Sequence, residues 1–247
     1  MRETPLSGGA VNEVTRVGAT VRRRPPPSAD FVHRLLDLLE RRGWAGAPRF
    51  LGTDDAGRET LSWIEGTAGS DATWWRAACS DELLAATAEL VREFHDLTAG
   101  TSLAAGHEVV CHNDLAPKNT VFTAPSAAAW RPVALIDWDL AAPGERIHDV
   151  AHLCWQYLDL GPDVADLPTA ARQLRVVCDA YGPAADRARL LPAVLWWQDR
   201  CRRGIEEAAD RGDPAMRRLR NQHVPARIRE AHRWVSEHRA ELEAALR

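Results

Sequence analysis

A chain of 247 residues, 45% hydrophobic and 27% charged, has the makeup of an ordinary globular protein. It is long enough for one large domain or two modest lobes. The formal net charge of −4 supplies no surplus of positive charge for a nucleic-acid backbone, so a small-molecule partner is expected and nucleic acid is not.

No stretch approaches the roughly 20 apolar residues that span a bilayer, and the first residues lack the apolar run of a signal peptide. No membrane association is expected, and the expected compartment is cytoplasmic. The five cysteines are scattered, and none forms a C-x-x-C pair. They read as buried, reduced thiols rather than a zinc site or a disulfide framework. Lys118 is the only lysine. Any task usually given to lysine elsewhere in the chain falls to arginine or is left vacant.

The first sixty-odd residues read as strands with one helix. Gly8 and Gly9 precede Val11, Val14 and Val17, and Gly18 stands where a hairpin would turn into Ala19–Arg22. Pro25, Pro26 and Pro27 stop that strand. Ser28 or Asp30 can cap a helix with apolar residues Phe31, Val32, Leu35, Leu36, Leu38 and Leu39, which runs to Gly43. A turn at Asp54–Gly57 leads into a strand over 59–64. A short connector follows, near Ile64 to Thr67.

The remainder is mostly helical. Residues 81–97 form an amphipathic helix capped by Ser80, and a strand-and-loop region occupies 109–140. Helices then follow one another from 145 to 247, with breaks at Gly161-Pro162, Gly182-Pro183, Gly212-Asp213-Pro214 and Pro225. The expected organisation is a small β-rich lobe over 1–64 and a larger helical lobe over 65–247.

The chemistry is concentrated in two segments. In Cys111-His112-Asn113-Asp114-Leu115-Ala116-Pro117-Lys118-Asn119-Thr120, apolar strand-like runs bracket a polar loop of the form His-x-Asp-Leu-x-x-x-Asn. That is the spacing of a kinase catalytic loop. A carboxylate there can accept the proton of an attacking hydroxyl, and a neutral oxygen on the same loop can ligate Mg²⁺. The second segment, Val133-Ala134-Leu135-Ile136-Asp137-Trp138-Asp139, is an apolar strand ending in a carboxylate.

With both segments in this order, the chain resembles the aminoglycoside phosphotransferase and choline kinase superfamily over nearly its whole length. Among its branches it looks closest to the trifolitoxin-immunity type. The resemblance implies an α+β, two-lobed protein-kinase-like fold with a β-rich N-terminal lobe and a larger helical C-terminal lobe. It also implies transfer of the γ-phosphate of ATP or GTP to a hydroxyl of a small-molecule acceptor, with Mg²⁺ as cofactor. By position, Asp114 would be the catalytic base and Asn119 and Asp137 the metal ligands. The turn containing Gly8 and Gly9 would cover the phosphates. The Ser62 carbonyl and the Ile64 amide would contact the adenine.

Three departures from the family pattern stand out. Asn113 occupies the position between His and Asp where the family has Gly, and Asn tolerates left-handed backbone better than most residues. Aligning Ala19-Thr20-Val21-Arg22 puts Arg22 in place of the strand lysine that holds the phosphates. Alternation then turns Thr20 and Arg22 to one face and leaves Arg23 facing the other way. The helix glutamate that would orient such a cation is missing, since His33 and Arg34 stand at the matching turn.

Other residues have plainer readings beside the functional ones. His112 is expected to pack and hydrogen-bond beneath the loop rather than act as a base. Asp139 either assists the metal or caps a turn. Asp149 is expected to tie the following helix to the catalytic loop. His148 and His152 lie one helical turn apart, but an Asp where a zinc protease has Glu, and no third ligand, argue against zinc. Trp155, Trp196 and Trp197 are core residues or a stacking surface for the acceptor. The alternative function is a catalytically inactive kinase-fold binding or immunity-type protein, motivated by the altered phosphate clamp. A protein-substrate kinase is disfavoured because no A-P-E segment follows Asp137.

Overall fold

Short strands near the N-terminus pair into a five-stranded antiparallel sheet in the computed structural model, which describes residues 3–6, 14–69, 79–124 and 130–247. These strands are β1 (Glu3–Pro5), β2 (Val14–Val17), β3 (Thr20–Arg23), β4 (Phe50–Thr53) and β5 (Glu59–Ser62), in the order β1-β2-β3-β5-β4. Gly18, at φ 61°, makes the β2–β3 turn. Gly8 and Gly9 lie outside the described residues. The β4–β5 turn is built on Asp54, whose carboxylate accepts from the Ala56 and Arg58 amides at 3.0 and 2.9 Å.

Between β3 and β4 runs helix α1 (Ala29–Arg41), which buries Val32, Leu35, Leu36 and Leu39. Ser28 stands at its start but makes no side-chain cap. Its hydroxyl donates instead to the Asp139 carbonyl at 2.7 Å, tying the start of the helix to the segment after Asp137.

The next elements are β6 (Thr67–Ala68), α2 (Asp81–Thr98), β7 (Val109–Cys111), β8 (Thr120–Thr123), β9 (Arg131–Leu135) and β10 (Ala142–Gly144). Ser80 caps α2 by accepting from the Leu83 amide at 3.3 Å, as its sequence predicts. Strands β6, β8 and β9 form one small sheet, and β7 pairs with β10. Val109, Val110, Cys111 and Phe122 are fully buried, so both strands flanking the candidate catalytic loop are anchored in core.

By contact density the chain divides into two compact units, residues 1–145 and 146–247. Ile64, where a lobe boundary is expected, falls within the first of them. The second unit is all helix: α3 (Arg146–Leu158), α4 (Leu167–Tyr181), α5 (Arg187–Asp210), α6 (Pro214–Asn221), α7 (Val224–Glu237) and α8 (Arg239–Leu246). The aspartates Asp166, Asp186 and Asp213 cap α4, α5 and α6 through side-chain bonds to backbone amides, which places the breaks where Gly and Pro signal them.

Cys111, Cys154 and Cys178 are buried thiols, and burial pushes the Cys178 pKa up to about 11. Among the described residues no helix is long and apolar enough to cross a membrane. A sheet region and a helical region in sequence make the fold α+β.

Candidate active site

The loop between β7 and β8 is held from beneath by His112. The ring is buried, lies 4.5 Å from the Trp138 ring, and takes the Asp114 amide on Nδ1 at 3.3 Å. With Nδ1 accepting, Nε2 carries the hydrogen and donates to the Ile136 carbonyl at 3.1 Å. Both ring nitrogens are thereby engaged in positioning backbone, which is the packing role expected of His112. Asn113 adopts φ 63°, the left-handed conformation anticipated for it, and its amide donates to the Leu140 carbonyl at 2.9 Å.

Asn119 closes the loop on itself. Its amide nitrogen donates to the Asp114 carbonyl at 2.9 Å and to the Asp114 carboxylate at 2.7 Å. The oxygen of the amide is then the end that can face a cation. The Ile136 amide donates to the Asn119 carbonyl at 2.8 Å, which ties Asn119 to the residue before Asp137. Lys118, the only lysine, lies with Nζ 3.4 Å from the Asp114 carboxylate.

Asp137 leaves β9 at φ 65° and ψ 60° and opens a tight turn over Trp138–Leu140. A non-glycine residue in this region carries roughly 1–2 kcal/mol of local strain. The turn is held by Trp138, almost wholly buried, whose indole donates to the Leu135 carbonyl at 3.0 Å and meets Phe94 edge-on. The Asp137 side chain itself is 46% exposed.

The arginine that reaches Asp137 is Arg23, not Arg22. Arg22 turns to the opposite face, beside Asp54 at 3.5 Å. Strand alternation separates the two as expected, but the face turned toward Asp137 is the one carrying Val21 and Arg23. The cause is register: Arg23 stands directly across from Glu59, and Val21 across from Leu61, so this face combines apolar packing with a compensated charge. Arg23 Nε lies 2.5 Å from Glu59, Nη1 3.1 Å from Asp137 and Nη2 2.5 Å from Asp139. Asp139, open between two roles on the sequence, is thus an ion-pair partner of Arg23.

Glu59 is 1% exposed and is held on its second oxygen by His33 Nε2 at 2.7 Å, with the His33 ring stacked on Phe50. His33, at the turn where the family places its helix glutamate, therefore reaches a carboxylate supplied by the strand. Arg23, Glu59 and Ser28 are the site residues that sequence reading missed. An arginine and a glutamate able to face each other across β3 and β5 were a usable signal, but only with the register in hand.

Three carboxylates converge on one guanidinium, which leaves two negative charges in excess. Burial by itself would lower Arg23, yet Asp139, Glu59 and Asp137 raise its pKa above the usual value. Burial raises the Asp139 carboxyl; Arg23 opposes that rise and Asp137 adds to it. A carboxylate cluster with an excess of two negative charges and a half-exposed Asp137 has oxygen donors that suit a hard divalent cation.

At the connector, the Ser62 amide donates to the Arg49 carbonyl at 2.9 Å, and the Ser62 hydroxyl accepts from the Arg49 amide at 2.8 Å. The Trp63 amide donates to the Ala19 carbonyl at 2.9 Å, and residues 63–65, including Ile64, run on without regular structure. In the helical unit, His148 stacks on Trp196 and His152 meets Trp197 edge-on. Trp155 and Trp197 are buried there, whereas Trp196 is 42% exposed.

A five-stranded antiparallel sheet followed by a His-x-Asp loop closed by Asn119 and a strand-end Asp137 is the arrangement of a kinase-like fold. A profile of the phosphotransferase enzyme family matches residues 100–193. The chain is 31% identical over 274 residues to the trifolitoxin immunity protein of Rhizobium leguminosarum bv. trifolii, spanning 99% of this chain and 98% of that protein. The chain belongs to the family of that immunity protein. The fold is similar to that of a choline/ethanolamine kinase family protein from Mesorhizobium loti, with TM-score 0.62, 16% identity and coverage of 100% of this chain and 92% of that one. It is also similar to an aminoglycoside 2″-phosphotransferase solved with GDP and kanamycin, with TM-score 0.59, 16% identity and coverage of 99% and 92%.

Proposed function

We propose that the chain is a cytoplasmic, Mg²⁺-dependent small-molecule kinase that moves the γ-phosphate of ATP or GTP to an acceptor hydroxyl. The observation that carries this reading is the closure of the loop by Asn119 onto the Asp114 carboxylate at 2.7 Å, with Asn119 tied by backbone to the segment leading into Asp137. In this reading Asp114 takes the proton of the acceptor hydroxyl as its oxygen bonds to phosphorus. His112 and Asn119 hold that carboxylate at a set height and orientation. Asn119 and Asp137 would hold Mg²⁺, which when bound supplies neutralisation of phosphate charge.

Residues 1–64 would serve the nucleotide, with Gly8 and Gly9 near the phosphates and Ser62 and Ile64 at the base. Residues 65–247 would carry catalysis and acceptor binding. The relative solved with GDP and kanamycin supports a nucleotide and a polar hydroxyl-bearing acceptor as the substrate classes.

A second reading, a non-catalytic binding protein of the immunity type, is favoured by the 31% identical relative's description as an immunity protein. One experiment separates them. The purified chain is titrated with Mg-ATP and Mg-GTP by thermal shift, then incubated with labelled nucleotide and a panel of hydroxyl-bearing polar acceptors. Magnesium-dependent stabilisation with phosphate transfer supports the kinase. Stabilisation with no transfer to any acceptor, and no slow hydrolysis, supports the binding protein.

A further inference from the structure

A cavity of about 300 Å³ opens between α5 and α7, inside the helical unit, and none of the candidate active-site residues lines it. Each helix offers it positions i, i+1 and i+4 of one face: Gln198, Asp199 and Arg202 from α5, and Ile228, Arg229 and His232 from α7. Its volume lies at the small end of ligand pockets and suits a molecule of amino-acid size.

Gln198 is the residue that asks for a ligand. It is fully buried, and its amide nitrogen donates to the Leu160 carbonyl at 3.4 Å. That bond fixes the orientation of the amide, because a flip would set oxygen against oxygen. The other end, Oε1, has no hydrogen-bond partner among the described residues. Buried amide oxygens are nearly always given a donor, since leaving one without costs stability.

The neighbouring charges define the donor. The Arg202 hydrogen bond at 2.7 Å holds the Asp199 carboxyl below its usual value against the opposing effect of burial, with Arg203, Arg202 and His232 adding to it electrostatically. Two acceptors on consecutive residues, one of them ionised, match an ammonium group. On the facing helix, Arg229 commits only Nη2, to Glu206 at 3.1 Å, and its side chain is 56% exposed. Arg229 and His232 can therefore receive a carboxylate. A bare cation would meet two guanidiniums, and a bare anion would leave Gln198 Oε1 without a donor. A zwitterion satisfies both sides.

We infer that this cavity binds a free α-amino acid, with its ammonium on Gln198 Oε1 and Asp199, its carboxylate on Arg229 and His232, and its side chain along Ile228. The site stands on its own residues and does not depend on the phosphotransfer reading.

The test screens the twenty free L-amino acids against the purified chain by ligand-observed NMR and measures the best binder by calorimetry. The proteins are wild type, Gln198→Leu, which removes the buried acceptor at similar volume, and Arg229→Gln, a half-exposed position that keeps folding out of question. Circular dichroism checks that both are folded. At least one amino acid should bind the wild type, and each substitution should weaken it by about 10- to 100-fold, the scale of a hydrogen bond to a charged group. The same molecule without its carboxylate, and the same molecule without its amine, should each lose affinity on that scale. If Gln198→Leu does not fold, Arg229→Gln and these two analogues carry the test. No binding by any amino acid, binding that survives substitution in a folded variant, or equal affinity for either analogue overturns the inference and leaves the kinase reading intact. A wild type that binds an amino acid in this pattern but no Mg-nucleotide keeps this site and overturns the kinase reading instead.

Discussion

Asn119 grips Asp114 twice, through the backbone carbonyl at 2.9 Å and the carboxylate at 2.7 Å, so the side chain five residues along the loop sets the orientation of the candidate base. A carboxylate held this way is poised to accept a proton without itself rearranging. We predict that Asp114→Asn lowers kcat by about 10²–10⁴-fold, the range for loss of a general base. Mg-nucleotide affinity should stay near wild type, because the base acts on the acceptor. Steady-state kinetics beside calorimetry check this, and wild-type turnover would remove Asp114 from the role.

Asp137 should fail differently. It is half exposed and stands at the rim of a carboxylate cluster that already carries excess negative charge. Asp137→Ala is expected to abolish the magnesium-dependent part of nucleotide affinity as well as turnover. Its thermal stability without metal should change little, since Arg23 keeps Glu59 and Asp139. Equal Mg-nucleotide titrations for variant and wild type would refute the metal assignment.

The buried pair behind the site lends itself to a stability comparison. Glu59→Ala leaves a largely buried guanidinium without its anchor and should cost about 3–5 kcal/mol in urea unfolding. His33→Ala leaves the ion pair intact and removes one hydrogen bond to a carboxylate, a loss of about 1.5–3 kcal/mol. A larger loss for His33→Ala than for Glu59→Ala would mean that the ring, not the guanidinium, is the main partner of Glu59.

Backbone strain gives the fourth expectation. Asn113 sits at φ 63°, which glycine adopts freely and β-branched residues resist. Asn113→Gly relieves strain but loses the bond to the Leu140 carbonyl, so its unfolding free energy should stay within about 1 kcal/mol of wild type. Asn113→Val should cost at least about 1–2 kcal/mol and disturb the loop. A stable, fully active Asn113→Val protein would show that the left-handed conformation is not needed in solution.

Much of this molecule was legible in one dimension because the relevant physics is local. The helix over 81–98 with its Ser80 cap, the turn on Asp54, the left-handed Asn113 and the order of Asp114, Asn119 and Asp137 all follow from neighbours a few residues apart. Spacing also separated Arg22 from Arg23, since alternation along a strand is a local rule. Which of the two faces Asp137 is a different matter. It depends on β3 pairing with β5 in the register that sets Arg23 across from Glu59, and on α1 bringing His33 to the far oxygen of that glutamate. Ser28 shows the same limit: a cap by local preference, it bonds instead to Asp139, 111 residues away. A single sequence carries no direct record of strand register or of contacts made only when distant segments pack, because burial and ion pairing at such places are settled by the whole fold.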